Sequence, residues 1–205
     1  MQMRFGPSGN SESFFAEGHK TTIEQPKWLH ENFALDAFEY SFGRGVRITE
    51  KSARQIGEAF DAYGIQKSVH APYFINLATE EFMKGIRKLC DEEGILMICD
   101  EVQCGMGRTG SMFTWQSYGI RPDIMSMAKA IGSGIPVGAF AMTEEIARYS
   151  LEPGDHGTTY GGNPLACTAV SKTIEIFEKK NLVAHVQELG AYLTEKLEEL
   201  DRKSV

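Results

Sequence analysis

Two charged side chains stand where chemistry would be expected. Asp100 ends the apolar run 95–99 (ILMIC), and Lys129 follows the apolar run 124–127 inside AKAIGSGIPVG. A carboxylate at the end of a buried strand costs free energy unless it meets a cation or several donors. Asp100 is therefore either paired structurally or aimed at a ligand. A lysine in a dry pocket has a lowered pKa and acts as an amine nucleophile. The glycines that follow Lys129 let backbone approach a ligand closely. On residue types alone, both side chains could equally be ordinary surface or paired charges. Cys104 has no histidine or other base in view, so no nucleophilic role is expected of it.

The elements that must position these residues follow from the hydrophobic pattern. Thr79 caps a helix that Gly94 closes, and residues 95–99 are long enough for a buried parallel strand. That strand ends in Asp100 and Glu101, the strand end where ligand sites on open α/β sheets collect. Residues 124–127 and 137–142 read as two further strands. Thr143 caps a helix to Tyr149, and a glycine-rich loop over 154–162 precedes two closing helices, 164–179 and 182–200. Upstream, residues 3–5 form a short apolar start, and 22–31 read as a helix with Pro26 in its first turn. Residues 36–42 (DAFEYSF) alternate as a strand does. Thr49 caps a helix to Tyr63 that Gly64 stops, and 65–74 contain another strand. The opening half thus reads β-α-β-α-β, which implies a parallel sheet.

The totals narrow the function classes. The chain has 205 residues and is 42% hydrophobic and 10% aromatic, enough for a real core. Its net charge is −7, with basic residues scattered among acidic ones, so a non-specific nucleic-acid binder is not expected. The four cysteines form no CxxC pair and the histidines no zinc-finger spacing. A reducing, cytoplasmic compartment fits, with no signal peptide and no membrane-length apolar stretch. Trp115, Phe113 and Tyr118 read as packing, Arg108 as a loop organiser, and EKLEELDRK as a solvated face.

The run from Ile95 to Thr143, followed by GDHGTTYGGNPLAC, resembles the class III pyridoxal-phosphate aminotransferases, and within them the acetylornithine type. Four landmarks arrive in order: DEVQ from Asp100, GRTG from Gly107, AKAIG around Lys129, and GTTYGGNPLAC from Gly157. The resemblance implies an α/β fold, part of the large domain of the fold type I transferases, with a parallel-type sheet. It implies pyridoxal 5'-phosphate as cofactor, with Lys129 as the catalytic Schiff-base lysine. Asp100 would pair with the pyridine nitrogen, Val102 would pack on the ring, and Gln103 would donate near its phenolic oxygen. Thr159 would bind the cofactor phosphate of a neighbouring subunit, which implies a homodimer. The implied reaction moves an amino group from N-acetylornithine or a similar ω-amine to 2-oxoglutarate, in arginine biosynthesis.

The first half departs from that family. Its phosphate loop, ring-stacking aromatic and substrate-reading acidic residue are not found upstream of DEVQ. MRFGPSGNSESFFAEGHKTT, LDAFEYSFGRGVRI and SVHAPYFINLA instead resemble the start of an endonuclease IV-type apurinic-site nuclease, a (β/α)₈ barrel with a metal cluster. His70 matches one of that family's metal ligands, but the other ligands have no counterpart, and a polar residue at a strand end is the plainer reading. No metal site is expected. Two segments are therefore expected, 1–78 and 79–205, in a chimeric chain that joins at NLATEE. The family's carboxylate-binding arginine is not found in the second segment. Three functions compete: the aminotransferase, an apurinic-site nuclease fragment, and a non-catalytic fragment. The retained lysine and aspartate favour the first as the family; the missing elements favour the third for turnover.

Overall fold

The computed structural model describes residues 4–42, 47–70, 79–152 and 154–202. The chain divides into two compact units, Met1–Asn76 and Leu77–Val205.

The first unit is built on one parallel strand pair. Helices α1 (Glu12–Ala16) and α2 (Gln25–Phe33) precede strand β1 (Ala37–Ser41); helix α3 (Glu50–Ala62) then crosses over to strand β2 (Gln66–His70). β1 and β2 run parallel, in a register from Ala37 opposite Gln66 to Ser41 opposite His70. Thr49 Oγ1 accepts the Ser52 N–H at 3.2 Å and starts α3, as its type and position foretold. Phe14, Trp28, Leu29, Phe38, Phe60 and Ile65 form the core, with Phe38 and Phe60 stacked at a centroid distance of 4.7 Å. Gly6 has to be glycine, because a Cβ there would lie 1.6 Å from the Ala37 carbonyl oxygen.

The expected β-α-β-α-β opening is only partly realised. Arg4 and Phe5 form no strand, and a single parallel bridge from Ser8 to Glu39 stands in its place. The helix expected from residue 22 begins at Gln25. Residues 20–24 are used for a turn, in which the Glu24 carboxylate accepts the N–H groups of Lys20 and Thr21. His70 ends β2; the rest of HAPYFINL and the join before Thr79 lie outside the described residues.

The second unit opens with helix α4 (Glu80–Glu93), capped by Thr79 and closed by Gly94 at φ 64°. Strand β3 (Ile98–Asp100), the short helix α5 (Thr114–Ser117), strand β4 (Ile124–Ala128), a 3₁₀ turn (Lys129–Gly132) and strand β5 (Gly138–Met142) follow. Helices α6 (Glu144–Ser150), α7 (Pro164–Lys179) and α8 (Leu182–Arg202) complete it. Thr143 caps α6, and Asn163 caps α7 with Pro164 in its first turn.

Two expectations about this sheet are corrected. β3 and β4 are parallel, but β5 runs antiparallel to β4, so the three-stranded sheet is mixed. The reason is the short return through the 3₁₀ turn, because a parallel partner needs a long crossover. Residues 95–99 were also expected to be buried. Met97 is, but Ile98 is 62% exposed and Ile95 and Leu96 are exposed too. α4 covers the Met97 side, where Met83, Met97 and Ile120 form the core with Ile86, Cys90, Cys99, Trp115 and Tyr118 around them. Among the described residues no comparable layer covers Ile98.

Candidate active site

Parallel pairing carries the two chemical groups to the same end of the sheet. Asp100 is the last residue of β3 and lies opposite Ser126 on β4; Lys129 follows the last residue of β4. This is the carboxyl end of both strands, where side chains leave the sheet and can converge on a ligand. Asp100 Oδ1 accepts the Val102 N–H at 2.9 Å and the Ser126 hydroxyl at 3.2 Å. Among the described residues its second oxygen takes no hydrogen bond, and Lys129 Nζ has no hydrogen-bond or ion-pair partner.

Strand alternation alone would aim Lys129 and Ser126, three positions apart, to opposite faces of the sheet. The backbone breaks that alternation at the lysine, which sits at φ 50° in the left-handed region. Such a conformation costs a non-glycine residue about 1 kcal/mol or more and persists where surrounding structure imposes it. The surrounding structure is visible: α7 packs on the turn, and Ile131 and Gly132 are buried in it. Ser133 and Gly134 are also left-handed, at φ 47° and 101°.

The glycines around Lys129 do less for ligand approach than expected. A Cβ on Gly132 would lie 2.5 Å from Val137 Cγ1, so this glycine serves packing of the turn against its own return. Both Asp100 and Lys129 are exposed, so of the alternatives the residue types left open, the surface setting holds and the buried carboxylate and dry lysine pocket do not. The cause is the open face beside Ile98 and the short β3.

Val102 is half-buried and Gln103 exposed, in the loop that leaves β3 beside Asp100. Thr159 is exposed in the 154–162 loop, and no hydrogen bond joins it to Asp100 or Lys129 among the described residues. The GRTG loop is held by the closing helices: a Cβ on Gly107 would touch Phe177, and Gln187 donates to the Gly110 carbonyl. Arg108 in that loop is exposed. Trp115 and Tyr118 pack on the Met83–Met97–Ile120 core, in keeping with their aromatic character.

Sequence reasoning missed Glu101. It is 4% exposed, and its carboxylate accepts the N–H of Thr114 and of Trp115, each at 3.0 Å, and the Cys104 thiol at 3.2 Å. The DE pair carried the signal, since two successive residues at a strand end point to opposite faces. Burial pushes the Cys104 thiol up, and the Glu101 carboxylate adds to it, which supports the expectation of an unreactive sulfur. A shallow polar groove bordered by Arg87, Arg121, Asp123 and Glu144 lies at the other end of β3 and β4. It is remote from Asp100 and Lys129 along both strands.

The residues present fit pyridoxal phosphate at its ring. A carboxylate with an open oxygen suits a protonated ring nitrogen, and an amine with no counter-ion suits an aldehyde. Among the described residues, no group of three or more His, Cys, Asp or Glu side chains could hold a metal ion. No helix there is long and apolar enough to cross a membrane.

Several known proteins are similar to this chain. The pattern of the aminotransferase class-III family matches residues 74–205. Acetylornithine aminotransferase of Methanocaldococcus jannaschii is 50% identical over 129 residues, 63% of this chain and 32% of that protein. The Aquifex aeolicus acetylornithine aminotransferase is 44% identical over 131 residues, 64% of this chain and 34% of that protein. The chain thus spans about a third of the length of these relatives. Among solved structures, an S-selective transaminase from Arthrobacter sp. superposes with a TM-score of 0.59 at 30% identity, covering 88% of this chain and 34% of that one. A taurine:2-oxoglutarate aminotransferase from Bifidobacterium kashiwanohense, in complex with PLP and glutamate, gives 0.54 at 37% identity, covering 60% and 28%. The family and this bound relative support pyridoxal phosphate as the cofactor. With its aspartate and lysine at neighbouring strand ends and the family pattern spanning more than half its length, the chain belongs to the class-III aminotransferases.

Proposed function

We propose that residues 79–205 are the cofactor-holding part of an acetylornithine-type aminotransferase, acting on N-acetylornithine or a similar ω-amine with 2-oxoglutarate as acceptor. The observation that carries this reading is the placement of Asp100 and Lys129 at the carboxyl ends of adjacent parallel strands. Pyridoxal phosphate, when bound, supplies the electron sink for the pair left as the substrate Cα–H bond breaks. Asp100 would keep the ring nitrogen protonated through its open carboxylate oxygen. Lys129 Nζ would hold the cofactor aldehyde and would carry the proton that leaves the substrate carbon. Val102 would pack on the ring and Gln103 would donate to its phenolic oxygen. Thr159 would bind the phosphate held by a second copy, which would make the working form a homodimer, in a reducing cytoplasm and serving arginine biosynthesis.

Residues 1–78 form, on this proposal, an endonuclease IV-like partial (β/α) barrel, and the chain is a chimera. The parallel β1–α3–β2 unit is compatible with such a piece. Sequencing single genomic DNA molecules across the join tests this; two separate full-length genes there would refute a natural fusion.

A second reading is cofactor binding without turnover. The exposure of Asp100, Lys129 and Thr159 favours it, because water at the site weakens every electrostatic contact. Absorbance separates the readings. The protein mixed with pyridoxal phosphate should gain a visible band that Lys129→Ala removes. Acetylornithine should then discharge that band. No band defeats both readings, and a band that acetylornithine leaves unchanged defeats turnover.

A further inference from the structure

We infer that Glu101 is a positioning residue that sets the orientation of Asp100 and Val102 toward the cofactor ring, an assignment that rests on the cofactor-holding reading above. A buried carboxylate costs several kcal/mol unless its oxygens are satisfied, and apolar replacement of such groups is often tolerated. At 4% exposure Glu101 makes no ion pair among the described residues. It takes only neutral donors: the Thr114 and Trp115 N–H groups at 3.0 Å and the Cys104 thiol at 3.2 Å.

Those three donors define a clamp. Thr114 and Trp115 open α5, which packs through Trp115 on the α4–β3 core. Cys104 lies in the loop leaving β3. One side chain therefore ties that loop to a rigid element on the far side of residues 102–113. The Glu101 backbone continues the tie: its N–H donates to the Ser126 carbonyl at 3.0 Å, and its carbonyl accepts Gly105 N–H at 2.9 Å. Gly105 must stay glycine for this, since a Cβ would lie 2.7 Å from that carbonyl oxygen. Thr114 Oγ1 adds a bond to the Cys104 carbonyl at 3.1 Å.

The consequence reaches the site through adjacency. Asp100 precedes Glu101, and its Oδ1 accepts the Val102 N–H. With Glu101 held by three donors, the residues on both sides of it have one backbone conformation. Asp100 is exposed and its carboxylate is steadied by the Ser126 hydroxyl and the Val102 N–H, and the backbone that carries both Asp100 and Val102 is held by the buried neighbour between them. Without the clamp the 100–105 turn loosens, and the ring loses a fixed anion and a fixed apolar face together.

Three variants test this in the full chain with pyridoxal phosphate as probe. Glu101→Gln keeps the shape but places an amide N–H₂ against a backbone donor. It should raise the cofactor Kd at least tenfold and reduce the induced circular dichroism of the visible band, which reports how the ring is held. Cys104→Ala removes one donor and should move both readouts the same way by a smaller factor. Gln116→Ala loosens the same helix elsewhere, since Gln116 Oε1 accepts the Phe113 N–H, and should move neither. Wild-type Kd and dichroism in Glu101→Gln overturn the assignment. Should Glu101→Gln fail to fold, unchanged readouts in Cys104→Ala overturn it. Absence of the band in the wild-type protein would instead defeat the cofactor reading.

Discussion

The Ser126 hydroxyl donates to Asp100 Oδ1 at 3.2 Å across the β3–β4 register, so the carboxylate assigned to the cofactor ring is steadied by the neighbouring strand. A hydrogen bond to a charged group is worth about 1.5–3 kcal/mol when sheltered, and less at an exposed position. Ser126→Ala should therefore weaken pyridoxal phosphate binding by about five- to tenfold, or about 1 kcal/mol. Equilibrium titration of the visible band measures it. An unchanged Kd would mean the Val102 N–H alone sets the aspartate.

Asp123 is the anchor at the other end of the strands. Its Oδ2 accepts the Met97 N–H and the Arg87 guanidinium, both at 2.7 Å. Burial pushes this carboxyl up, but the Met97 amide and Arg87 outweigh it and hold the group below its usual 3.8. A depressed folded-state pKa gives stability that is present above 3.8 and lost as pH falls through the folded value. Asp123→Asn should cost about 2 kcal/mol in urea unfolding at pH 7. The gap between wild type and variant should stay level down to about pH 5 and shrink below pH 4. A gap independent of pH would show that the charge contributes nothing.

Gly132 and Val137 make a paired prediction. Gly132→Ala places a methyl 2.5 Å from Val137 Cγ1 in the turn that carries Lys129. Overpacking of this kind costs about 1–3 kcal/mol. The double variant with Val137→Ala should recover most of that loss in thermal unfolding. Additive losses would place the strain elsewhere.

The cysteines should differ sharply in reactivity. Burial, with Glu101 next, pushes the Cys99 thiol up to about 11, whereas Cys167 is exposed. Since the thiolate is the reacting form, a thiol reagent at pH 8 should modify Cys167 first and Cys99 only on unfolding. Peptide mapping after timed labelling checks the order. The raised value also means that Cys99 favours the fold below pH 9 and that this contribution fades as pH rises toward 11. Early modification of Cys99 would show that the sheet opens locally in the native state.

Most element boundaries in this chain are written locally. Thr49, Thr79 and Thr143 each cap the helix that follows, and Gly94 turns left-handed where its helix ends, because caps and φ preferences depend on a few neighbouring atoms. Periodicity likewise placed β1, β4, β5 and the two closing helices, and the family-like motifs, not the residue types alone, singled out Asp100 and Lys129. What depended on distant partners was not legible. The direction of β5, the exposure of Ile98 and the left-handed φ of Lys129 come from which strands and helices meet in space. Burial of Glu101 came the same way, since its donors lie at Cys104, Thr114 and Trp115, across a loop whose path no periodicity encodes. Local chemistry chose the groups; long-range packing chose which of them face water, because burial is a property of the neighbours and not of the residue.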